Sequence, residues 1–202
     1  MTTNRVSTFT GEGPRYQSWG PNTEVQTRDF VDCAVKAWSD IPQRRFPYVA
    51  RVGRDVVGMG ELHVRSHKQC QGEISYIVHP RVWGQGIGTE ISRQLLAHGF
   101  GELGLHRIHA SCDPRNLGSS RVLSKIGMTY EGRLRDTALL PDGWRDSMIF
   151  SSLEGEMARH CVAPPVGPPG TAGGHPFGGS LFGPGGRSGY EPAEGGSGEV
   201  GR

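Results

Sequence analysis

The sequence predicts an α+β domain with a mixed sheet, and the order of its patterned segments carries that prediction. Alternation of apolar and polar residues is typical of strands, whereas apolar residues spaced three and four apart are typical of helices. Along the chain these segments give a helix, a meander of strands, a β-helix-β-helix unit and a final hairpin. A mixed sheet within an α+β domain follows from that order.

The first patterned segment predicts a helix over residues 22–38. Asn22 or Thr23 can cap its N-terminus, because both residue types accept hydrogen bonds from first-turn amides. Its apolar residues recur at helical spacing, which predicts that they pack on the core. These residues are Val25, Phe30, Val31, Ala34, Val35 and Trp38.

A meander of strands follows this helix. Residues 46–51 and 56–64 alternate as the strands of a hairpin, and the polar segment 66–72 predicts the next turn. Gly58 and Gly60 lie inside the second strand, where glycine indicates a bulge or a close approach to the backbone.

The stretch from Glu73 to Glu90 organises the rest of the chain. Residues 73–78 alternate and are rich in Ile, Tyr and Val, which predicts a central strand. Pro80 ends the strand pairing, and an amphipathic helix opens at Thr89-Glu90. The apolar stripe of this helix consists of Ile87, Ile91, Leu95, Leu96 and Phe100. Between them lie Gly84, Gly86 and Gly88. Glycines let the backbone approach a ligand, and free N–H groups at a helix start suit an anion, so the sequence predicts a phosphate seat.

Two familiar phosphate loops do not match this stretch. The P-loop of nucleotide hydrolases requires a lysine after its glycines, and none follows here. A dinucleotide-binding loop requires glycine where Thr89 stands, and an acid at the end of the next strand, whereas Glu102 precedes that strand. A third pattern, Arg/Gln-x-x-Gly-x-Gly/Ala, is present as Arg81-Val-Trp-Gly84-Gln-Gly86.

A second strand and helix follow this stretch. Residues 105–112 alternate as a strand, and a helix then runs from a cap at Asn116 to a stop at Gly127. The predicted apolar side of this helix consists of Leu117, Val122, Leu123 and Ile126. Residues 128–136 and 145–153 predict a terminal antiparallel hairpin.

Together these motifs resemble the GNAT superfamily of acyl-CoA-dependent N-acyltransferases. The resemblance is nearest to the branch that acetylates the N-termini of ribosomal proteins (the RimJ/RimL type). Besides the glycine motif, the matching positions are Asn116, Ser119, Lys125, Gly127, Glu131, Gly132 and Arg135, while Met128 replaces the usual Phe. The resemblance implies a GNAT-like mixed, mostly antiparallel central sheet flanked by helices, here with a shortened N-terminus.

The resemblance also implies an acyl-CoA site, with acetyl-CoA as the donor and no metal. The pyrophosphate is expected on backbone N–H groups between Gly84 and Thr89, and the pantetheine arm along strand residues 76–78. One amide, at Ile77 or Val78, is expected to stabilise the oxyanion. The implied cofactor-binding residues are Ile77, Val78, Gly84, Gln85, Gly86, Ile87, Gly88, Thr89 and Asn116.

Two side chains are implied for catalysis. Ser119 is expected to give a proton to the departing thiolate, and Glu73 to take one from the amine. Helix capping is the alternative role of both Asn116 and Ser119, and a salt bridge or simple exposure is that of Glu73. Glu61 is a further candidate base. In ribosomal-type relatives an acid often stands where this chain has Ala138, and Asp136 is expected two residues earlier on the same face.

The implied function is transfer of an acetyl group to a primary amine by direct attack on the thioester. A protein N-terminal α-amine is the first predicted acceptor, and a small amine such as an amino acid or an aminoglycoside is the second. A non-catalytic acyl-CoA-binding module is the alternative, because the N-terminus is short and several residues compete for the base. A third hypothesis is an interaction protein that acts through its C-terminal tail.

Composition limits the number of domains and the partners. With 202 residues and 35% hydrophobic content the chain can build one domain core, predicted over residues 14–160. Residues 1–13 are poorly patterned, and the Gly/Pro-rich residues 161–202 predict a disordered tail.

A net charge of +2 and the lack of a long apolar run or signal peptide predict no nucleic-acid or membrane partner. The cysteines have no metal-type or redox-type spacing, which suits the cytoplasm.

Overall fold

A computed structural model describes residues 22–140 and 142–156. The helices are α1 (Glu24–Lys36), α2 (Ile87–Gly101) and α3 (Leu117–Lys125), with 3-10 turns at Ala37–Ser39 and Pro80–Val82. The strands are β1 (Arg45–Val52), β2 (Asp55–Ser66), β3 (Gln71–Val78), β4 (Arg107–Cys112), β5 (Thr129–Leu140) and β6 (Gly143–Leu153). None of these described helices is both long and apolar enough to cross a membrane. The predicted segments 1–13 and 161–202 lie outside the described residues.

The six strands form one sheet in the order β1-β2-β3-β4-β6-β5. Strands β3 and β4 are parallel because α2 connects them as a crossover, whereas the other four neighbouring pairs are antiparallel. The predicted α+β class, with a mixed and mostly antiparallel sheet, is therefore confirmed.

The core lies between α2 and one face of the sheet. The predicted stripe residues Ile87, Ile91, Leu95 and Leu96 are at most 2% exposed. Each side chain of this size contributes about 1.5–3 kcal/mol when it is fully buried. They pack with buried residues of the strands and of α3, which include Phe46, Val57, Leu62, Ile74, Ile108, Ala110, Leu123 and Phe150.

Two glycines of β2 lie where neighbouring elements approach closely, as the sequence predicts. A Cβ at Gly58 would lie 2.5 Å from the carbonyl oxygen of Ile77. A Cβ at Gly60 would lie 2.6 Å from Cγ2 of Ile91 in α2. A register shift in the β1–β2 pair also marks a bulge near this part of β2. Both parts of the glycine prediction are confirmed.

Helix α1 begins as predicted but does not pack as predicted. Thr23 is the cap, since its hydroxyl accepts from the Gln26 N–H at 3.2 Å while Gln26 Oε1 accepts from the Thr23 N–H at 2.9 Å. The predicted buried stripe is wrong for four residues that are 39–67% exposed: Val25, Phe30, Val31 and Val35. The reason is that, among the described elements, α1 packs mainly on the edge strand β1 and the 3-10 turn that follows the helix, which leaves these side chains uncovered. Trp38, beyond the helix, does reach the core and packs edge-on against Phe46.

Helix α3 has the N-terminal cap and the C-terminal glycine that the sequence predicts. Its buried side contains fewer residues than predicted. Leu123 and Ile126 are 1% and 7% exposed, whereas Leu117 is 60% exposed. The assignment of Leu117 to the apolar side is therefore wrong, because the buried residues all come from later turns of the helix. Gly127 ends the helix in a left-handed conformation with a φ of +88°.

The face of the sheet opposite α2 carries charged residues in cross-strand pairs. Arg107 of β4 donates two hydrogen bonds to Glu131 of β5, and the Ser151 hydroxyl of β6 donates a third at 2.7 Å. These bonds, those from Arg107 first, lower the pKa of Glu131 to about 2, so its carboxylate is charged at neutral pH. The Glu131-Gly132 motif thus ties three neighbouring strands together.

Two glycines at the end of α2 give a matched test of this packing. A Cβ at Gly99 would lie 2.4 Å from Cδ1 of the buried Ile108, whereas one at Gly101 would meet no atom within 4 Å. Gly99→Ala should therefore destabilise the fold by about 1–3 kcal/mol through overpacking. Gly101→Ala should stabilise it by up to about 1 kcal/mol, because alanine favours a helix. Urea unfolding followed by circular dichroism measures both free energies, and equal values for the two variants would contradict this packing.

Candidate active site

The two parallel strands separate after a short contact. Strands β3 and β4 pair only where residues 71–73 meet residues 107–109. Beyond that point β3 stays paired with β2 as far as Val78, and β4 stays paired with β6 as far as Cys112. Beyond residue 73, β3 therefore pairs with β2 but not with β4, and beyond residue 109, β4 pairs with β6 but not with β3. A gap opens in the middle of the sheet, and backbone edges form its walls.

The edge of β3 presents alternate peptide groups to this gap. The His79 N–H donates to the Val57 carbonyl of β2 at 2.8 Å, two residues beyond Ile77. Because bonded and non-bonded pairs alternate along an antiparallel ladder, the Ile77 peptide groups face β2, and those of Tyr76 and Val78 face the gap. Of the two amides predicted for the oxyanion, this alternation selects Val78, and it adds Tyr76 as a second.

A cavity of about 140 Å³ lies in the gap. It is lined by Ile74, Ser75, Tyr76, Ala110, Ser111, Cys112, Asp113, Asn116, Ser119 and Leu123. Two predicted site residues, Asn116 and Ser119, therefore meet the open edge of β3 here. The polar side chains of the residues that line the cavity are hydroxyls, one amide, one thiol and one carboxylate.

Hydrogen bonds fix the start of α3 beside the cavity. Asn116 Oδ1 accepts from the Ser119 N–H at 3.0 Å, which is the capping role foreseen as an alternative. The Tyr76 hydroxyl donates to the Ser119 carbonyl at 3.5 Å, so β3 contacts α3 across the gap. Burial raises the pKa of Tyr76 to about 12, and its hydroxyl keeps its proton at neutral pH. Capping uses only the backbone of Ser119, whose side chain belongs to the cavity wall.

The glycine loop brings backbone amides to the end of the gap. Gly84 and Gly86 have φ angles of +77° and +84°, which favour glycine, and Gly86 caps α2 without a side chain. Helix α2 therefore begins at Ile87, two residues earlier than predicted. Its first amides have no intrahelical acceptor. A Cβ at Gly84 or Gly86 would meet no atom within 4 Å, so the loop borders open space and can seat an anion.

The other predicted cofactor-binding residues of this loop differ in exposure. Gln85 is exposed, and its Nε2 donates to a carbonyl of the same loop at 3.4 Å. Ile87 and Thr89 are 2% and 6% exposed, and burial restricts the reach of the Thr89 hydroxyl towards a phosphate. A Cβ at Gly88 would lie 3.3 Å from the ring of Tyr76, so α2 approaches β3 closely there.

One side-chain hydrogen bond joins the glycine loop to β3. Trp83 Nε1 donates to the Val78 carbonyl oxygen at 2.8 Å, although the Trp83 side chain is 54% exposed. The bond occupies a carbonyl that faces the gap. Nothing in the sequence pattern indicates this bond, because a tryptophan beside a glycine loop is equally compatible with simple packing.

The two glutamates predicted as bases are held in ion pairs on the sheet face opposite α2. Arg65 Nε donates to Glu73 at 2.6 Å, and His109 Nε2 lies 3.8 Å from the same carboxylate. Glu61 accepts two bonds from Arg45, at 2.6 and 2.9 Å. Neither glutamate lines the cavity, so the structure does not bring Glu73 together with Ser119.

Asp136 lies in an irregular part of β5. It has a φ of +50°, and the β5–β6 register shifts between Leu134 and Ala138. The alternation that places Asp136 on the face of Ala138 does not hold through such an irregularity. The Asp136 N–H donates to Asp146 Oδ1 at 3.0 Å, and its side chain is exposed.

Asp113 is a cavity residue that the sequence prediction missed. Burial opposes its ionisation, but hydrogen bonds from Arg115, one of them 2.7 Å long, outweigh burial and lower the pKa of Asp113. Its carbonyl accepts from the Asn116 N–H at 2.8 Å, which sets the turn before α3. The available signal was the Asp113-Pro114 pair, since Asp-Pro favours the start of a turn.

Cys112 in the cavity wall should be unreactive at neutral pH. Burial raises the pKa of its thiol to about 11, so at pH 8 roughly 0.1% is thiolate, against about a quarter for an unperturbed thiol. Iodoacetamide at pH 8 should therefore modify the exposed Cys33 long before Cys112, and modification of Cys112 should accelerate as the pH rises towards 11. Peptide mass spectrometry measures both rates, and comparable rates at pH 8 would contradict the burial of Cys112.

Within residues 22–140 and 142–156, no three His, Cys, Asp or Glu side chains are grouped so as to hold a metal ion. The site instead offers backbone donors in the glycine loop, peptide groups along the β3 edge, and hydroxyls at the start of α3.

Sequence comparison identifies the type of domain. A model of the acetyltransferase (GNAT) domain matches residues 4–129, which is more than half of the chain. YnaD, an uncharacterized N-acetyltransferase of Bacillus subtilis, is 37% identical over 145 residues, which cover 70% of this chain and 81% of YnaD. The uncharacterized N-acetyltransferase p20 of Bacillus licheniformis is 28% identical over 148 residues, 73% of this chain and 83% of p20.

Solved structures agree with these matches. A GNAT-family acetyltransferase from Bacillus anthracis is 31% identical with a TM-score of 0.60, and the match covers 71% of this chain and 82% of that one. RimJ from Mycobacterium smegmatis, solved with CoA-disulfide, has a TM-score of 0.62 at 24% identity over 70% of each chain. At that identity the likeness to RimJ shows a shared fold.

Proposed function

The chain belongs to the GNAT acetyltransferase family and is an N-acetyltransferase, and on that premise we propose that it transfers the acetyl group of acetyl-CoA to a primary amine. The observation that carries this proposal is the gap between β3 and β4. It has the glycine loop at one end and the Asn116–Ser119 cap in its wall.

The site accommodates acetyl-CoA in one direction. The pyrophosphate binds backbone amides of the segment 84–89, because these donors are fixed before the ligand arrives and the segment borders open space at Gly84 and Gly86. The pantetheine arm enters the gap at Val78, the residue nearest the loop, and continues towards Tyr76. The thioester then lies in the cavity, beside Ser119 and Asn116.

In this pose the amine nitrogen attacks the thioester carbonyl carbon. A C–N bond forms and the C–S bond breaks, while the amine loses one proton and the departing thiolate gains one. An N–H group of the β3 edge, at Tyr76 or Val78, donates to the oxyanion. The Ser119 hydroxyl supplies the proton to the thiolate and regains a proton from solvent, so that the site is restored for the next cycle.

Glu73 is the proposed acceptor of the amine's proton, through a water molecule because it lies outside the cavity. The bonds from Arg65 and the contact with His109 all involve Oε2, which leaves Oε1 available to that water. Glu61, which Arg45 holds through both carboxylate oxygens, is the second candidate. An α-amine is partly neutral near pH 8 and needs only a weak base.

A protein N-terminal α-amine is the proposed acceptor, and a small amine is the second candidate. The motif resemblance to the ribosomal-protein branch supports this choice, as does the fold shared with RimJ. Ser75 and Ser111 line the cavity and are exposed on the face opposite α2. A peptide can therefore approach the gap from that face without crossing the CoA seat.

We also place the enzyme in the cytoplasm, without a nucleic-acid or membrane partner, on its net charge of +2 and its cysteine spacing. The proposed domain limits are residues 14–160. A non-catalytic acyl-CoA-binding module is the competing function, and it differs in one measurable respect: it binds CoA but releases no thiol with any amine.

Acetyl-CoA binding by calorimetry, at moderate salt, is the experiment that tests the proposal. Micromolar binding supports the site, and thiol release is then measured with peptides bearing free N-termini and with small amines. A folded protein that does not bind would overturn the acetyl-CoA site. Binding without thiol release from any amine would favour the non-catalytic module.

Gly86→Val should weaken CoA binding at least tenfold. The new side chain occupies the open space where the pyrophosphate sits, and it also strains a residue whose φ is +84°. Gly104→Val is the matched control, because Gly104 has a φ of +58° and equally open surroundings, but follows the far end of α2. Strain of about 1–2 kcal/mol is common to both variants. CoA affinity is measured by calorimetry. Equal affinities in the two variants would mean that the glycine loop does not bind the pyrophosphate.

Ser119→Ala and Glu73→Gln should each lower kcat while leaving the CoA dissociation constant unchanged. The expected loss is about a hundredfold, the lower end for general acid–base catalysis, since a thiolate is already a good leaving group. Ser124→Ala, an exposed position on α3, serves as the control. A kcat within twofold of wild type in either variant would exclude that residue from proton transfer.

A further inference from the structure

The gap-facing edge of β3 offers four hydrogen-bonding groups in a fixed order. Read from the glycine loop inwards, they are the C=O and N–H of Val78, followed by the C=O and N–H of Tyr76. Trp83 Nε1 already donates to the first of these, the Val78 carbonyl, at 2.8 Å. The other three face the gap as one acceptor between two donors.

The end of the pantetheine arm carries the complementary groups in the same order. The relevant amide is the one nearest the sulfur. Read from the phosphates inwards, the arm presents the carbonyl of that amide and then its N–H. Two methylenes and the sulfur follow, and then the thioester carbonyl. The Val78 N–H therefore matches the amide carbonyl, the Tyr76 C=O the amide N–H, and the Tyr76 N–H the thioester carbonyl. In this register the thioester lies at the cavity that Tyr76 and Ser119 both line.

A second register exists only if the Val78 carbonyl is free. The arm then moves by one repeat, about 6.7 Å along an extended strand, so that its amide N–H meets the Val78 C=O and its thioester the Val78 N–H. The amide N–H and the thioester carbonyl of the shifted arm keep partners, whereas its amide carbonyl comes level with Pro80, which has no N–H. The thioester, however, stops short of the cavity that contains Ser119.

We propose that Trp83 is a positioning residue that fixes the register of the pantetheine arm by occupying the Val78 carbonyl. Its indole N–H competes for the acceptor on which the shifted register depends. The Val78 carbonyl and the His79 N–H belong to the same peptide group. Because the His79 N–H donates to the Val57 carbonyl at 2.8 Å, the orientation of this peptide group is also fixed from the β2 side. The inference rests on the proposed acetyl-CoA site.

Trp83→Phe tests this role, because it keeps an aromatic ring and removes the N–H. In this variant the shifted register competes with the productive one, so kcat and the KM for acetyl-CoA should fall together, by about twofold where the two registers are equally populated. The CoA dissociation constant should stay within twofold of wild type or decrease. Kinetics use the amine that gives the fastest thiol release with the wild-type enzyme. Trp144→Phe, at a tryptophan that is 58% exposed on the β5–β6 hairpin, should change none of these constants.

A spectroscopic readout follows the register directly. Acetyl-CoA labelled with ¹³C at the thioester carbonyl should give one bound resonance with the wild-type protein. With Trp83→Phe a second resonance, or a shifted one, should appear, because the carbonyl then meets a different N–H. This measurement requires no acceptor amine.

Three outcomes would overturn the inference. Unchanged kcat and KM in Trp83→Phe would mean that the hydrogen bond does not set the register. A raised KM with unchanged kcat would mean that Trp83 only supports the phosphate seat. A single carbonyl resonance at the wild-type position would exclude a second register. By contrast, failure of the wild-type protein to bind CoA overturns the proposed function itself and is seen before any variant is made.

Discussion

The separation of β3 from β4 after the Glu73–His109 pair is the constraint on which the site depends. If the parallel ladder continued, the edge of β3 would be consumed by backbone hydrogen bonds, and no peptide-like ligand could pair with it. The sheet tolerates the gap because β2 and β6 still pair with the two strands. The contact from Tyr76 to Ser119 then connects β3 with α3 where the ladder is missing. The β3–β4 backbone hydrogen bonds are thus missing only along the edge where the peptide-like arm of the proposed ligand can form hydrogen bonds instead.

Two helices begin beside this gap, and their caps give them different roles. Helix α3 begins at Asn116, whose side chain accepts from one of its own first-turn amides. Helix α2 begins at Gly86, which has no side chain to do so. The first-turn amides of α2 are therefore left without a side-chain cap, and this is why the proposed phosphate seat lies at α2. At α3 the Asn116 side chain takes up one such amide, and the start of this helix lies in the cavity wall instead.

The sequence predicts local features of this site well and tertiary ones poorly. The glycine loop, the α2 stripe and the Asn116 cap depend on residues close together in the chain, so their pattern is visible. The partner of Glu73 is not visible, because Arg65 meets it only once β2 and β3 are in register. The apolar stripe of α1 is a second tertiary feature that the sequence does not predict, because four of its residues are exposed. Periodicity establishes that a helix has an apolar side, but burial of that side depends on what lies opposite.

The two faces of the sheet suit the two halves of the proposed reaction. The face against α2 is apolar, and the opposite face carries three cross-strand ion pairs: Arg45–Glu61, Arg65–Glu73 and Arg107–Glu131. An amine that approaches from this opposite face must lose a proton before it can attack. Unpaired carboxylates would stabilise its ammonium form and raise the pKa of the amine. Pairing each glutamate with an arginine removes most of that field, so the charged face can receive an amine without holding it in the unreactive state.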